Sequence, residues 1–115
     1  RPMKTRSNTF IPESETAWES CGEGLRRQIM GYDPHLMVVK VAFEKGAVGA
    51  RHTHYHSQAT YVVSGRFEAC VGEDRRLLGP GDGYYVAPDE PHELLCLEAG
   101  TILDIFSPLR ADFLK

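Results

Sequence analysis

Apolar and polar residues alternate in short runs along this chain, and turn-forming residues separate the runs. In the segment 66–71 (RFEACV), Phe67, Ala69 and Val71 occupy every second position. A period of two places those three side chains on one face of an extended strand, as in a strand buried on one side only. No window of a dozen residues has the 3.6-residue spacing of an amphipathic helix, apart from the last few residues after Pro108.

This pattern predicts about eight short strands, each bounded by Gly, Pro or Asp residues that favour turns. Strands of this length, with turns at intervals of about eight to twelve residues, indicate an all-β antiparallel sandwich or barrel. The predicted strands are Leu25–Tyr32, Leu36–Phe43, Tyr61–Val63, Arg66–Val71, Arg75–Leu78, Tyr84–Ala87, His92–Leu97 and Thr101–Phe106.

The first two dozen residues show no sustained periodicity and contain several Pro and Ser residues. We predict that residues 1–17 form an arm over the core, with its first few residues compatible with a vector-derived origin, and that Trp18 anchors it. The folded domain is predicted to span residues 18–115. A chain of 115 residues with 42% hydrophobic and 25% charged residues has the size and composition of one globular domain.

Composition and charge exclude several functional classes. The longest apolar runs, such as Leu36–Val39, are far shorter than the roughly 20 residues that span a bilayer, and no secretion signal is visible. A net charge of −3 argues against a general nucleic-acid binder, which needs a basic face. Three widely spaced cysteines without a CxxC pair are typical of an intracellular chain with buried thiols. We therefore expect a cytoplasmic protein that binds neither nucleic acids nor membranes.

A cluster of histidines is the first candidate for chemistry. His52, His54 and His56 alternate with other residues, and Gln58 continues the same parity. If this segment is extended, the three imidazoles and the amide face one side of the strand. His92, which follows two prolines and begins a predicted strand, is a fourth candidate. Converging imidazoles suit a divalent transition metal, whereas the alternative is a chance surface cluster.

Two segments resemble the sequence motifs of the cupin family. Segment 46–65 has the pattern Gly-x5-His-x-His-x3-Gln-x6-Gly, with glutamine where most cupins carry glutamate. Segment 80–92 (PGDGYYVAPDEPH) resembles the second motif, although it is one residue longer than the common form and Glu90 replaces the usual glycine. The resemblance implies a single-domain jelly-roll barrel, also called a double-stranded β-helix. It also implies four metal ligands, with His56 beside them rather than a fifth ligand. The implied ligands are His52, His54, Gln58 and His92.

The neutral amide of Gln58 has a consequence for reactivity. Three neutral imidazoles and an amide leave the full double positive charge of a divalent ion uncompensated. Higher oxidation states are then less stabilised, so Lewis-acid chemistry is favoured over oxygen activation. An anionic substrate would restore the charge balance. The metal itself stays open among nickel, zinc, cobalt, manganese and iron.

The C-terminal strand carries the second candidate site. Asp104 and Phe106 share one face of this strand and Ile105 takes the other. A carboxylate inside a small barrel is costly unless it is paired or functional. The alternative is an aspartate satisfied by neighbouring backbone groups or by Arg110.

Three further segments resemble the KdgF-type pectin-degradation cupins: 24–33 (GLRRQIMGYD), 43–47 (FEKGA) and 103–113 (LDIFSPLRADF). The resemblance runs from about Trp18 over nearly the whole chain. Tyr55, where many relatives carry proline, is a departure that affects the rim of the pocket. The family implies conversion of 4,5-unsaturated uronates, the products of pectin or alginate lyases, into linear 4-deoxy-5-keto uronates.

The same resemblance implies catalytic roles for Asp104, Phe106 and Arg110. Asp104 is expected to move the proton, Phe106 to wall the site and Arg110 to clamp the substrate carboxylate with two hydrogen bonds. Strand parity makes further residues plausible in the pocket without a catalytic role: Arg26, Arg27, Gln28 and Tyr84. Two other functions are compatible with the motifs, a metal-dependent cupin dioxygenase and a non-catalytic cupin that binds sugar or metal. The sequence is also compatible with a homodimer, because small β-barrels expose edge strands that can pair between subunits.

Overall fold

A computed structural model describes residues 5–114 of the chain. These residues form ten strands and two short 3-10 turns, the turns at Glu13–Glu15 and Ala111–Leu114. The strands are β1 (Glu19–Gly22), β2 (Leu25–Asp33), β3 (Leu36–Phe43), β4 (Val48–His52), β5 (Ser57–Val62), β6 (Arg66–Val71), β7 (Asp74–Leu78), β8 (Gly83–Val86), β9 (His92–Glu98) and β10 (Gly100–Ser107).

The strands form two antiparallel sheets that pack face to face. One sheet has six strands in the order β1-β2-β3-β10-β5-β8, and the other has four in the order β4-β9-β6-β7. Consecutive strands such as β4 and β5 therefore lie in different sheets, which is the connectivity of a jelly roll. The prediction of an all-β antiparallel barrel is confirmed. The described residues contain no helical segment with the length and hydrophobicity of a membrane span.

Alternate residues of the strands build the core between the sheets. In β3, every second residue from Met37 to Phe43 is buried. Phe43 meets Phe67 of the opposite sheet edge-to-face, with ring centroids 5.2 Å apart. Cys70 and Cys96 are buried in β6 and β9, as the sequence predicted. This packing makes the inner faces of the two sheets a single apolar core.

The glycine that ends the first motif is required by the packing of two turns. Gly65 has a φ of +84°, which side chains with a Cβ rarely adopt. A Cβ at this position would lie 2.6 Å from the carbonyl oxygen of Glu98 and 2.7 Å from the Cα of Gly100. The turn after β5 can therefore lie against the turn after β9 only if residue 65 is glycine.

The N-terminal arm lies over the outer face of β2 and β3. The Gln28 amide is buried and donates hydrogen bonds to the carbonyl oxygens of Glu13 and Thr16, at 3.3 and 2.8 Å. The guanidinium of Arg26 stacks on the Trp18 ring, 4.4 Å from its centroid. Gln28 and Arg26 therefore hold the arm outside the barrel rather than lining its interior. Residues 1–4 of the predicted arm lie outside the described residues.

The described residues form ten strands where about eight were predicted, because β1 and β4 are outside the predicted set, and the condition of one extended strand over residues 52–58 is not met. The segment up to Gly24 contains strand β1, in which Ser20 pairs with Arg26 of β2. All four residues of β1 are exposed, so the strand has no apolar alternation to reveal it. The segment from His52 to Gln58 is not one extended strand, because β4 pairs with β9 whereas β5 pairs with β10 and β8. Residues 53–56 carry the chain from one sheet to the other.

Candidate metal centre and active site

Three histidines converge at the place where the chain changes sheets. His52 ends β4 and lies opposite His92, the first residue of β9, while His54 belongs to the crossover segment. The ring centroids are 4.4 Å apart for His52 and His92, and 4.8 Å apart for His54 and His92. One nitrogen from each ring lies within 4.8 Å of the others. These three side chains can therefore hold a metal ion.

Backbone carbonyls determine which ring nitrogen is free in each of these histidines. A carbonyl oxygen only accepts hydrogen bonds, so each Nδ1 that faces one carries the proton. The Nε2 lone pair of each neutral ring is then available to a metal. The Nδ1 contacts are His52 with Ala50 at 2.8 Å, His54 with His56 at 3.1 Å and His92 with Glu90 at 2.9 Å.

His92 is the most deeply buried of the three. Its burial lowers its pKa to about 4, so the ring is neutral near pH 7. Its Nε2 is buried and has no hydrogen-bond partner among the described residues. A buried, unpartnered nitrogen with a free lone pair is costly unless another group binds it. A metal ion in the cluster would satisfy it.

The contact between His54 and Gln58 also fits a metal ion. His54 Nε2 and Gln58 Oε1 are 2.9 Å apart. With the His54 proton on Nδ1, both atoms present lone pairs toward each other, as two ligands of one cation would. The donor set of three imidazoles and one amide therefore fits a divalent ion.

Asp104 lies beside this cluster on β10, directly opposite Thr60 of β5. Its Oδ1 accepts a hydrogen bond of 2.6 Å from the Thr60 hydroxyl and one of 3.2 Å from the Gln58 amide nitrogen. Burial raises the pKa of Asp104 to about 6, although Thr60, Arg110 and Gln58 act in the opposite direction. A carboxyl with a pKa near 6 can both take up and release a proton close to neutral pH.

Arg110 is paired with Asp112 rather than with Asp104. Its Nε and Nη2 donate to the two carboxylate oxygens of Asp112 at 3.1 and 2.9 Å. Its guanidinium also stacks on the rings of Phe113 and Phe106, 4.3 and 5.1 Å from their centroids. Asp112 thus occupies the edge of the guanidinium formed by Nε and Nη2. The edge formed by Nη1 and Nη2 can still donate two hydrogen bonds to a second carboxylate.

Phe106 forms part of the wall between the histidines and the C-terminal segment. The side chain is buried and meets His54 edge-to-face at 5.7 Å and Phe113 at 5.9 Å between centroids. The His56 ring meets that of His54 edge-to-face, with centroids 5.3 Å apart, but its nitrogens do not join those of the three converging histidines. Its Nε2 faces the carbonyl oxygen of Leu109 at 3.2 Å, and its ring lies 4.1 Å from that of exposed Tyr55.

A cavity of about 250 Å³ brings most of the predicted site residues together. Sequence reasoning had given no role to Phe113 or Cys21, which also line it. The sequence did contain a signal for Phe113, because this residue lies three positions after Arg110 in a segment that resembles the KdgF-type cupins. Burial and the Asp104 carboxyl raise the pKa of Tyr84, which remains a neutral hydroxyl at the cavity wall. Predicted residues lining the cavity are His52, Gln58, Tyr84, His92, Asp104, Phe106, Arg27 and Arg110.

Two antiparallel sheets enclosing three histidines that could hold a metal ion define a cupin barrel, and residues 39–106 match the family model described as a cupin domain. The chain is 44% identical to the pectin degradation protein KdgF of Dickeya dadantii (strain 3937), over 91% of this chain and 97% of that protein. The chain therefore belongs to the KdgF family of cupins, which confirms the resemblance seen in its motifs.

Solved structures agree with this assignment. An RmlC-like cupin from Shewanella frigidimarina NCIMB 400 is 41% identical, with a TM-score of 0.94 over 96% of this chain and 99% of that chain. KdgF from Halomonas sp. is 37% identical, with a TM-score of 0.89 over 94% of this chain and all of that chain (100%). Both similarities extend over nearly the full length of each protein.

Proposed function

We propose that this protein converts 4,5-unsaturated uronates, released from pectin or alginate by lyases, into linear 4-deoxy-5-keto uronates. One observation carries the proposal: in a chain of the KdgF family, a carboxyl with a raised pKa shares a cavity with Arg110 and with His52 and His92, two of the three clustered histidines. The combination offers proton transfer, metal binding and recognition of an acid within about 250 Å³. A monosaccharide acid is a substrate of suitable size for such a cavity.

The proposed metal ligands are the imidazole Nε2 atoms of His52, His54 and His92 and the amide Oε1 of Gln58. A divalent ion bound there would polarise substrate oxygens as a Lewis acid. Nickel, zinc, cobalt, manganese and iron all suit imidazole and amide donors. The neutral ligand set preserves the positive charge of the site, which attracts an anionic sugar.

Asp104 is proposed to move the proton. As a base it takes the proton of the anomeric hydroxyl, and the electron pair forms the C1 carbonyl as the bond from C1 to the ring oxygen breaks. The ring oxygen then carries an enolate with C5 and C4. Asp104, now protonated, returns the proton to C4, which leaves a ketone at C5 and balances the reaction as an isomerisation. A pKa near 6 suits both halves of this exchange.

Arg110 and Phe106 are proposed to bind and orient the sugar. The Arg110 edge that Asp112 leaves free can hold the substrate carboxylate with two parallel hydrogen bonds, a geometry that lysine does not offer. Phe106 supplies an apolar wall against the face of the ring and keeps water away from the proton path. The carboxylate and the reacting bond are thereby held in a defined relation.

The decisive experiment mixes the purified, metal-loaded protein with unsaturated monouronates prepared separately from pectin and alginate. We expect the ultraviolet absorbance of the conjugated double bond to disappear and the linear keto acid to appear by NMR. Asp104→Asn and Arg110→Ala should lose activity while keeping the fold and the metal. Arg66→Ala, which removes an exposed arginine paired with Glu98, is the matched control and should retain it. Parental turnover by either cavity variant contradicts its assigned role.

The same assay separates the two alternative functions. A ring-opening isomerase works without oxygen and with redox-inert zinc, whereas a cupin dioxygenase requires oxygen and a redox-active ion. Binding of the uronate without any turnover would instead identify a non-catalytic sugar-binding cupin. Running the zinc-loaded protein under anaerobic conditions, with calorimetry for binding, therefore distinguishes all three.

A further inference from the structure

Thr60 occupies the point where the candidate metal cluster meets the candidate proton carrier. It lies two residues after Gln58 on β5 and directly opposite Asp104 on β10, so the three side chains share the inner face of one sheet. The Thr60 side chain is buried, with 3% of the residue exposed. Its hydroxyl has three polar neighbours, Gln58, Asp104 and the Tyr84 hydroxyl of β8, and must divide its hydrogen bonds among them.

With Asp104 ionised, the proton of the Thr60 hydroxyl has one placement. The Thr60 hydroxyl has one proton, and Asp104 Oδ1, 2.6 Å away, is an acceptor when ionised. The Thr60 oxygen therefore accepts from the Gln58 amide nitrogen at 2.9 Å. The Gln58 amide nitrogen also donates to Asp104 Oδ1, 3.2 Å away, which lies in nearly the same direction because it is only 2.6 Å from the Thr60 oxygen. The amide nitrogen of Gln58 thus donates on the side away from the histidines.

This arrangement sets the direction of the amide. With its nitrogen facing Thr60 and Asp104, Gln58 presents Oε1 to His54. A flipped amide would place its oxygen against the Asp104 carboxylate and its nitrogen at the histidines, where it could not bind a cation. The Thr60 hydroxyl stabilises the orientation in which the amide is a metal ligand.

The same network makes the two oxygens of Asp104 unequal. Oδ1 receives the hydrogen bonds from Thr60 and Gln58, whereas Oδ2 accepts none from the described residues. An oxygen that already accepts two hydrogen bonds is the weaker base of the pair. The oxygen available to exchange a proton with a molecule in the cavity is therefore Oδ2.

We propose that Thr60 is a positioning residue that holds the Gln58 oxygen toward the metal site and presents Oδ2 of Asp104 to the substrate. The proposal rests on the proposed function for its effect on turnover, but its effect on metal binding is independent of any substrate. Thr60 itself need not touch the sugar. It acts through Gln58 and Asp104, to which it is hydrogen-bonded.

The test compares Thr60→Val, which keeps the shape but removes the hydroxyl, with Thr60→Ser, which keeps the hydroxyl. Thr101→Val on β10 is a control for the loss of a threonine hydroxyl outside the network. Zinc affinity is measured by competition with a chromophoric chelator, and kcat and KM are measured at saturating zinc. We expect Thr60→Val to weaken zinc binding about tenfold and to lower kcat at least tenfold, with KM changed less than twofold. Thr60→Ser should restore both to within about threefold of the parent.

Parental zinc affinity in Thr60→Val overturns the proposal, as does a Thr60→Ser variant that loses as much as Thr60→Val. Thr60→Ala, which introduces no new apolar bulk, provides the same comparison if Thr60→Val does not fold. If the parent protein fails to convert unsaturated uronates, the proposed function is wrong, and the zinc affinities alone decide the role of Thr60.

Discussion

The substitution Asp104→Asn is expected to abolish most of the activity and at the same time to stabilise the protein. The carboxyl of Asp104 is held in a site that disfavours its charge, because burial outweighs the hydrogen bonds from Thr60 and Gln58. Asparagine keeps an acceptor oxygen for those hydrogen bonds and carries no charge. The variant therefore loses the proton carrier and also relieves the cost of ionising it.

The magnitude follows from the pKa. The native pKa of Asp104 is about 6, against a usual value of 3.8, a difference of roughly two units. At about 1.4 kcal/mol per unit, the ionised carboxyl costs the folded protein about 3 kcal/mol near pH 7.5. The new amide hydrogens need partners in the cavity, so we expect a net gain of about 1–3 kcal/mol. In a domain of this size, that gain raises the Tm by roughly 4–12 °C.

The stability difference between Asp104→Asn and the parent should depend on pH in a defined direction. A carboxyl whose pKa is raised on folding stabilises the folded state fully only below its unfolded pKa, and this stabilisation is lost as the pH rises through about 6. The advantage of Asp104→Asn should therefore be large at pH 7.5 and nearly absent at pH 4. Urea denaturation of the metal-free parent and variant at both pH values measures this difference, with Asp74→Asn on exposed strand β7 as the control.

Activity is measured in parallel at pH 7.5 with the metal-loaded proteins. Loss of a general acid or base typically lowers the rate by about 10²–10⁴-fold. A variant that is destabilised equally at both pH values would refute the claim that burial disfavours the Asp104 charge. A variant that turns over the sugar at the parental rate would refute its role in proton transfer.

Three further outcomes are expected. His92→Ala should lose bound metal on dialysis, measured by elemental analysis, whereas His35→Ala at the exposed β2–β3 turn should keep it. Phe113→Leu removes the ring that stacks with both cavity arginines and should raise KM about threefold to tenfold. Gly65→Ala should destabilise the protein by about 2–4 kcal/mol in urea, and more than Gly46→Ala, where the φ is also positive but a Cβ meets no atom within 4 Å.

The pattern of the sequence was sufficient for several strands with one buried face, although β5 alternates over Ser57–Val62 and only Tyr61–Val63 was predicted. Strand β3 matches its predicted bounds, Leu36–Phe43, because its apolar side chains alternate into the core. The motif glycines and histidines also identified the family, since such spacings are required by turns and ligand sets. Strand β1 escaped detection because all its side chains are exposed and only its backbone pairing makes it a strand.

The candidate site was predicted as a set of residues but not as an arrangement. Parity suggested that His52 and Gln58 lie on one strand, although they belong to opposite sheets. Periodicity also gave Thr60 no role, since an inward threonine two residues after Gln58 is equally compatible with plain packing. Its partner Asp104 is 44 residues away in the chain. Such long-range pairing depends on the sheet topology, which local sequence does not contain.

Because the proposed ligands come from both sheets, the stability of the folded barrel depends on the concentration of the metal ion. His52 and His92 belong to the smaller sheet and Gln58 to the larger. An ion bound by all three would therefore cross-link the two sheets. Its binding free energy adds to the resistance against unfolding by RT ln(1 + [ion]/Kd), about 2.7 kcal/mol at one hundred times the Kd. At equal concentrations of different ions, the ion that raises the Tm most is therefore the one that the barrel binds most tightly.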